Sequence, residues 1–148
     1  MTLRDLLERA ERATGPDRTL DALIEVRARN VEAARTGLAP EMRAKWRASR
    51  SGEVSDGHTF YFAAPVTDSV DAALALIGRA LPGWIVSQCF EWEDDILRAK
   101  GPWLAILKER GVHLTAPNLA RCQHAPTPAL ALCAALLAAM IEQETRDG

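Results

Sequence analysis

The stretch PALALCAALLAAMI, residues 128–141, decides the fold of this chain. It carries no charged residue, and it is dominated by Ala and Leu, which are strong helix formers. Thr127 is suited to cap the helix, and Pro128 fits its first turn, where the missing N–H costs nothing. A helix that is apolar on all sides must be buried on most of them. The apolar run is shorter than the roughly 20 residues that span a bilayer, so it predicts a core helix.

Composition places the chain among globular proteins with a single domain, which we take to be residues 1–148. Of its 148 residues 48% are hydrophobic and 26% are charged, enough to bury a sizeable core. The net charge of −2 argues against general nucleic-acid binding. The start of the chain predicts an amphipathic helix and no signal peptide, and the three Cys include no CxxC pair. We therefore expect a cytoplasmic protein without a disulfide framework or a membrane segment.

Three further helices are predicted from apolar spacing and caps. The first covers about residues 3–13, with Thr2 and Asp5 as a variant capping box. The second starts with Gly15 as N-cap and Pro16 as its first residue, and reaches Arg35 before a stop at residues 36–37. The third follows several possible N-caps in residues 67–69 and runs from Val70 to Leu81.

Strands are predicted between these helices. Residues 41–66 favour a hairpin that includes a strand at 59–62, although 42–48 suits a short helix equally well. Residues 84–92 alternate, which places Trp84, Val86, Phe90 and Trp92 on one face. Residues 102–110 suit either a helix or a strand, and we favour a strand. An edge strand at 112–115, a loop at 116–126 and a frayed tail at 142–148 complete the prediction.

Three segments together resemble a known family. They are GPDRTLDALI at residues 15–24, TDSVDAAL at 67–74 and TPALALCAA at 127–135. This combination is similar to the small phage and prophage proteins with the phage ABA sandwich domain. The resemblance implies an α+β fold, a three-layer helix–sheet–helix sandwich on a small, mostly antiparallel sheet. It also implies a host bacterial cytoplasm. The family has no established activity, so the resemblance carries over no catalytic residue.

A few residues have chemistry that a metal, an anion or a proton could use. Cys122 and His124 could share one face of an extended segment, with His113 and Cys89 as further ligands, but true zinc motifs are spaced more tightly. The start of the core helix could bind an anion, although Pro128 and the Thr127 cap remove donors. An acidic cluster consists of Glu91, Glu93, Asp94 and Asp95. Each set has a plainer structural explanation, so we predict no metal, no cofactor and no catalytic residue.

The charged segment 25–58 has no assigned role, but its basic part is a possible interaction patch. Four cations surround an aromatic residue in this patch: Arg43, Lys45, Trp46, Arg47 and Arg50. Exposed aromatic and Arg side chains can stack on bases and hold phosphates. If the patch formed a strand, Trp46 would instead face the core, opposite the cations.

The sequence favours a binding protein over an enzyme, because it has many packing motifs and no nucleophile arrangement or phosphate loop. We predict a phage- or prophage-encoded accessory protein that binds a protein partner and could form a homo-oligomer. One alternative is a small-ligand or nucleotide-binding module sited near residues 116–127. Another is nucleic-acid contact through residues 43–50, which the net charge makes the less favoured partner.

Overall fold

The computed structural model describes residues 1–93, 101–113 and 123–148. Predictions for residues 94–100 and 114–122, including most of the loop at 116–126 and the end of the edge strand at 112–115, lie outside the described residues. In chain order the described elements are α1 (Leu3–Arg12), α2 (Arg18–Arg35), α3 (Pro40–Arg43), β1 (Arg47–Ala48), β2 (Glu53–Ser55), β3 (Phe60–Phe62), α4 (Val70–Ala80), β4 (Trp84–Glu91), β5 (Trp103–Glu109), β6 (Gln123–Ala125) and α5 (Pro128–Asp147).

Helix α5 is the predicted core helix. The Thr127 hydroxyl accepts a hydrogen bond from the Leu130 N–H at 3.2 Å, and Pro128 is the first helical residue. Every residue in 129–137 is buried. Among the described residues, α5 is the one helix long and apolar enough to cross a membrane, and 61% of its apolar window is buried inside the protein. Its side chains pack against α1, α4 and the strands β4, β5 and β6.

The C-terminal turns of α5 differ from the prediction of a frayed tail at 142–148. The helix continues to Asp147. Arg146 bonds to Glu142 one turn earlier at 2.6 Å and also to Glu109 at the end of β5. Gln143 donates to the Asp147 carboxylate at 3.2 Å. These i,i+4 pairs and the link to the sheet stabilise the last turns of the helix, which are polar and have no apolar face to bury.

Local capping chemistry accounts for the starts of the other long helices. The Thr2–Asp5 capping box is confirmed, with Asp5 N–H to Thr2 Oγ1 at 3.1 Å. Helix α4 begins after Ser69, one of the predicted caps. The predicted start of α2 is wrong: Asp17 is the N-cap, not Gly15. Asp17 has a side-chain oxygen that accepts the Leu20 N–H at 3.0 Å, and glycine has none.

The first sheet is formed by β1, β2 and β3 in that order, antiparallel throughout. The predicted hairpin and the strand at 59–62 are thus confirmed. Ala48, Val54 and Tyr61 share one face and pack with Ala22 and Val26 of α2. This sheet therefore has a small core of its own on α2.

The second sheet consists of β4, β5 and β6, again antiparallel. Residues 103–109 form a strand, as favoured. The pairing register shifts between Val86 and Gln88, which marks a β-bulge. A bulge inserts one residue and reverses the alternation beyond it. The second half of β4 therefore presents its other set of side chains to the core.

The bulge corrects the predicted faces of β4. Trp84 and Val86 pack in the main core as predicted, but beyond the bulge Cys89 takes that position. Phe90 and Trp92 are not part of the main core that the described residues form, and they contact each other with ring centroids 5.6 Å apart. The sequence pattern contains no information on strand register, so it assigns both rings to the wrong face.

The α+β class and the antiparallel pairing are confirmed, but the strands do not form the single small sheet that was predicted. Within the described residues they divide into two three-stranded sheets. The first sheet packs on α2 and the second on α5. Residues 47–62 bury one apolar row on α2, so the two sheets are covered by different helices. The three-layer arrangement of the sandwich stays a prediction.

A buried polar network joins the three segments that carry the family resemblance. Asp21, 1% exposed, accepts bonds from the N–H and hydroxyl of Thr67 and from Arg18. The thiol of Cys133 donates to the Val66 carbonyl at 3.2 Å. Burial, and then the Asp21 charge, raises the pKa of this thiol, so it stays protonated. The motifs at 15–24, 67–74 and 127–135 therefore meet at one place, and their role there is structural.

Candidate interaction site

The predicted interaction patch is divided by the structure. Arg43 ends α3 and its side chain is half-buried, whereas Lys45, Arg47 and Arg50 are exposed. Trp46 lies before β1 and is half-buried. The Arg29 guanidinium sits over the Trp46 ring at 4.3 Å from its centroid. The tryptophan is therefore already covered by a cation of its own chain.

An exposed pair of phenyl rings stands on the solvent face of the first sheet. Phe60 and Phe62 are 64% and 61% exposed, and their centroids are 6.3 Å apart in an edge-to-face arrangement. Arg47 pairs with Ser55, which pairs with Phe60, so all three project from the same face. The structure thus places one residue of the predicted patch, Arg47, on a face that also carries two phenyl rings. We call Arg47, Phe60 and Phe62 the aromatic face.

Strand β3 is also an outer edge of its sheet. Among the described residues β3 pairs only with β2. The Ala63 N–H donates to the Gly52 carbonyl at 2.8 Å, and the Asp56 N–H donates to the Thr59 carbonyl. Backbone groups on an antiparallel strand alternate in direction, so those of Tyr61 point to β2 and those of Phe60 and Phe62 point outward. The aromatic face therefore adjoins a strand edge able to pair with another strand.

The opposite side of β3 is fixed to the body by an ion network. The Tyr61 hydroxyl donates to Glu25 at 2.9 Å, and Arg79 binds Glu25 and Glu32 at 3.0 and 2.8 Å. The Arg79 hydrogen bond lowers the pKa of Glu32, and burial raises the pKa of Tyr61. Arg79 itself is held charged by both carboxylates, which raise its pKa. This network ties the strand that carries Phe60 and Phe62 to α2 and α4.

A separate cleft opens between the C-terminal half of α2, α3, the turn after α4 and the end of α5. Its volume is about 780 Å³. Polar side chains in its wall include Arg27, Asn30, Arg35, Arg43 and Glu144, and apolar ones include Trp84. Arg43 of the predicted patch thus faces this cleft and not the aromatic face. None of the described residues 123–127 of the predicted ligand region at 116–127 lines this cleft.

The other sequence candidates are not assembled into a site by the described residues. His113 is exposed, His124 is in β6, and Cys89 is half-buried in β4. Within residues 1–93, 101–113 and 123–148, no three His, Cys, Asp or Glu side chains are grouped to hold a metal. Glu91 and Glu93 are exposed. Cys122, Asp94 and Asp95 lie outside the described residues.

Sequence reasoning missed the aromatic face and the cleft. The strand at 59–62 was predicted, but its exposed side depends on which row α2 covers, and that is a tertiary fact. The alternation Phe60, Tyr61, Phe62 offered a clue, since only Tyr61 has a hydroxyl that could reach a buried acceptor. The cleft brings together residues such as Asn30 and Arg43, which are 13 positions apart, and no sequence pattern indicates that they line one surface.

Comparison with known proteins adds no family to this description. No family model matches the chain, and neither a curated protein nor a solved structure matches it.

Proposed function

We propose that the chain is a non-enzymatic binding protein that captures a protein partner on the aromatic face. The observation that carries this proposal is the exposure of Phe60 and Phe62, at 64% and 61%, side by side on an edge strand. Large aromatic side chains and Arg are enriched in the centres of protein interfaces. Contiguous exposed apolar surface is a recurring mark of a docking site.

The edge of β3 indicates the form of the partner. An extended segment could add a fourth strand beside β3, with main-chain bonds for affinity and alternate side chains against the rings. Lys45, Arg47 and Arg50 are exposed near this sheet, and Glu53 is the acid on the same face. The local positive balance favours a segment that alternates apolar and acidic residues. Origin in a phage or prophage stays a prediction from the resemblance.

The test compares the double variant F60T/F62T with the wild type and with L74Q. Threonine keeps the strand propensity, and Leu74 is an apolar control, 41% exposed on α4. Immobilised wild type and L74Q should retain proteins from an extract of the native host, and F60T/F62T should not. Quantitative mass spectrometry measures the retained proteins. Equal retention by all three would contradict the proposal.

Two other occupants of the aromatic face are tested by separate measurements on the same variants. Self-association through β3 would double the mass in analytical ultracentrifugation, and F60T/F62T would restore the monomer. If the occupant is single-stranded nucleic acid, the protein should bind labelled oligonucleotides with an affinity that falls steeply as the salt concentration rises. The structure favours protein over nucleic acid, because Trp46 and Arg43 of the basic segment face the body of the molecule.

A further inference from the structure

Glu53 lies directly beside Phe62 on the solvent face of the first sheet. The two residues are opposite each other in the pairing of β2 with β3. The Ala63 N–H donates to the Gly52 carbonyl, so the next pair along is hydrogen-bonded. Glu53 and Phe62 are therefore a pair without mutual backbone bonds, and antiparallel strands bring the side chains of such pairs closest together. The Glu53 side chain is thus an immediate neighbour of the Phe62 ring.

Among the described residues, no group forms a hydrogen bond or ion pair with the Glu53 carboxylate. The side chain is half-buried, and its carboxylate oxygens are open to solvent. Arg47 is a cation on the same face, but its guanidinium donates to the carbonyls of Ala44 and Trp46. The Glu53 carboxylate is therefore available to a cation from a partner.

A partner that packs on the Phe62 ring also removes water from this neighbouring carboxylate. Taking a charge out of water is costly unless an opposite charge pairs with it, so the partner needs a cation here. A segment added beside β3 lies two strand spacings from Glu53, about 10 Å. Arg and Lys can cover that distance with an aliphatic stem on apolar surface and a charged head beyond it. A cation is also attracted to the face of an aromatic ring on the way.

The two ends of the aromatic face differ in charge. Arg47 lies in the cross-strand row of Ser55 and Phe60, whereas Glu53 lies in the row of Phe62. The two rows are two residues apart along β3. A cation on the added segment is therefore attracted to the Phe62 row and repelled from the Phe60 row. Juxtaposed charges of this kind fix the register of a partner.

We propose that the extended segment bound beside β3 carries an Arg or Lys opposite Phe62. The stem of this side chain lies on the Phe62 ring, and its head pairs with the Glu53 carboxylate. An apolar residue of the segment lies opposite Phe60, two positions away, and the acidic residues of the segment lie outside these two positions. The inference rests on the proposed function, and it makes Glu53 the residue that determines which segments bind.

The test selects peptides from a displayed library of random nonapeptides on the immobilised full chain. The wild type should enrich peptides with an Arg or Lys two positions from an apolar residue, and F60T/F62T should not retain them. Glu53→Gln should bind the selected peptides about tenfold more weakly, as loss of a charge-assisted bond does. Glu11→Gln removes an exposed acid on α1 instead, so it should bind them like the wild type.

A modified peptide separates charge from packing. Norleucine in place of the selected cation keeps an apolar stem and removes the head, so this peptide should bind the wild type and Glu53→Gln equally. The melting temperature of Glu53→Gln without peptide should equal that of the wild type, since the carboxylate has no partner to lose among the described residues.

The outcomes distinguish this inference from the proposed function. Selected peptides that need Phe60 and Phe62 but lack an enriched cation, or that bind Glu53→Gln as tightly as the wild type, overturn the inference and leave the proposed function in place. Failure to select any peptide that depends on the two rings overturns both.

Discussion

Thr67 donates both its backbone N–H and its hydroxyl to one carboxylate oxygen of Asp21, at 2.8 and 2.7 Å. The two residues are each 1% exposed and 46 positions apart. The Thr67 hydroxyl also accepts from the Asp17 N–H at 2.9 Å, so it serves the start of α2 as well. The relationship ties the loop before α4 to the first turn of α2.

Removal of this carboxylate should be costly. Asp21→Ala leaves the buried Thr67 N–H without its acceptor and removes the carboxylate beside Arg18, whose side chain is 38% exposed, so it should cost about 3 kcal/mol, the upper end for a buried polar group left unpaired. Thr67→Val loses fewer bonds and should cost about 1–3 kcal/mol. Urea unfolding of both single variants and the double variant measures the coupling. Purely additive effects would show that the contact contributes nothing of its own.

The Arg79 network should give the protein an acid-sensitive component of stability. The Arg79 hydrogen bond lowers the pKa of Glu32 below its ordinary value of 4.5. A carboxylate whose pKa is lower in the folded than in the unfolded protein stabilises the fold at pH values above the unfolded pKa. This stabilisation is lost as the pH falls through the folded pKa. Urea midpoints should therefore decline on acidification from neutral pH to about pH 3, and Arg79→Gln should make the decline shallower.

A matched control for Arg79→Gln is Arg12→Gln. Arg12 pairs with Glu8 at 3.3 Å, but their side chains are 78% and 66% exposed. Exposed pairs of this kind contribute little. The acid dependence of Arg12→Gln should match that of the wild type, and a change as large as that of Arg79→Gln would count against the network.

Substitution of two glycines distinguishes the free-energy cost of backbone strain from that of a steric clash. Gly101 and Gly111 both have positive φ, +118° and +82°. A Cβ at Gly101 would lie 2.5 Å from the backbone carbon of Ala125, whereas at Gly111 it would meet nothing within 4 Å. Gly111→Ala should cost only the conformational strain of about 1–2 kcal/mol, and Gly101→Ala clearly more. Thermal unfolding of both variants checks the order, and equal losses would contradict the close approach of residue 101 to β6.

The cysteines should differ in reactivity. Cys133 is 1% exposed and its thiol pKa is raised by burial and by Asp21, so the native protein should not label there with iodoacetamide at pH 8. Cys89 is half-buried with a pKa raised by burial alone, and it should react slowly. Peptide mapping by mass spectrometry reads both sites, and both should label fully in urea. Fast native labelling of Cys133 would show that α5 opens.

Most local capping chemistry was predictable from the sequence, with the N-cap of α2 as the exception, and distant pairing was not. The capping residues Thr2, Ser69 and Thr127 act within four residues of themselves, so their roles could be read from the chain. The bulge at Ser87 depends on β5, and the role of Asp21 depends on Thr67. Neither partner is visible in local periodicity.

The candidate site shows the same limit. Composition selected Arg43, Lys45, Trp46, Arg47 and Arg50 as one patch because they are neighbours in sequence. The structure sends Arg43 to the cleft, covers Trp46 with Arg29 and puts Arg47 on a face with Phe60 and Phe62. The helix that packs on a short strand determines which face of the strand meets solvent. The sequence of the strand alone does not indicate where that helix lies.

Helix α5 follows in the chain every element that it packs against. During synthesis α1, α4 and β5 therefore leave the ribosome before the helix that covers their apolar surfaces. We expect the nascent chain to remain open and a target for chaperones until α5 emerges, and then to close in a single late step. The stretch that decides the fold is thus also the one that sets when folding can be completed.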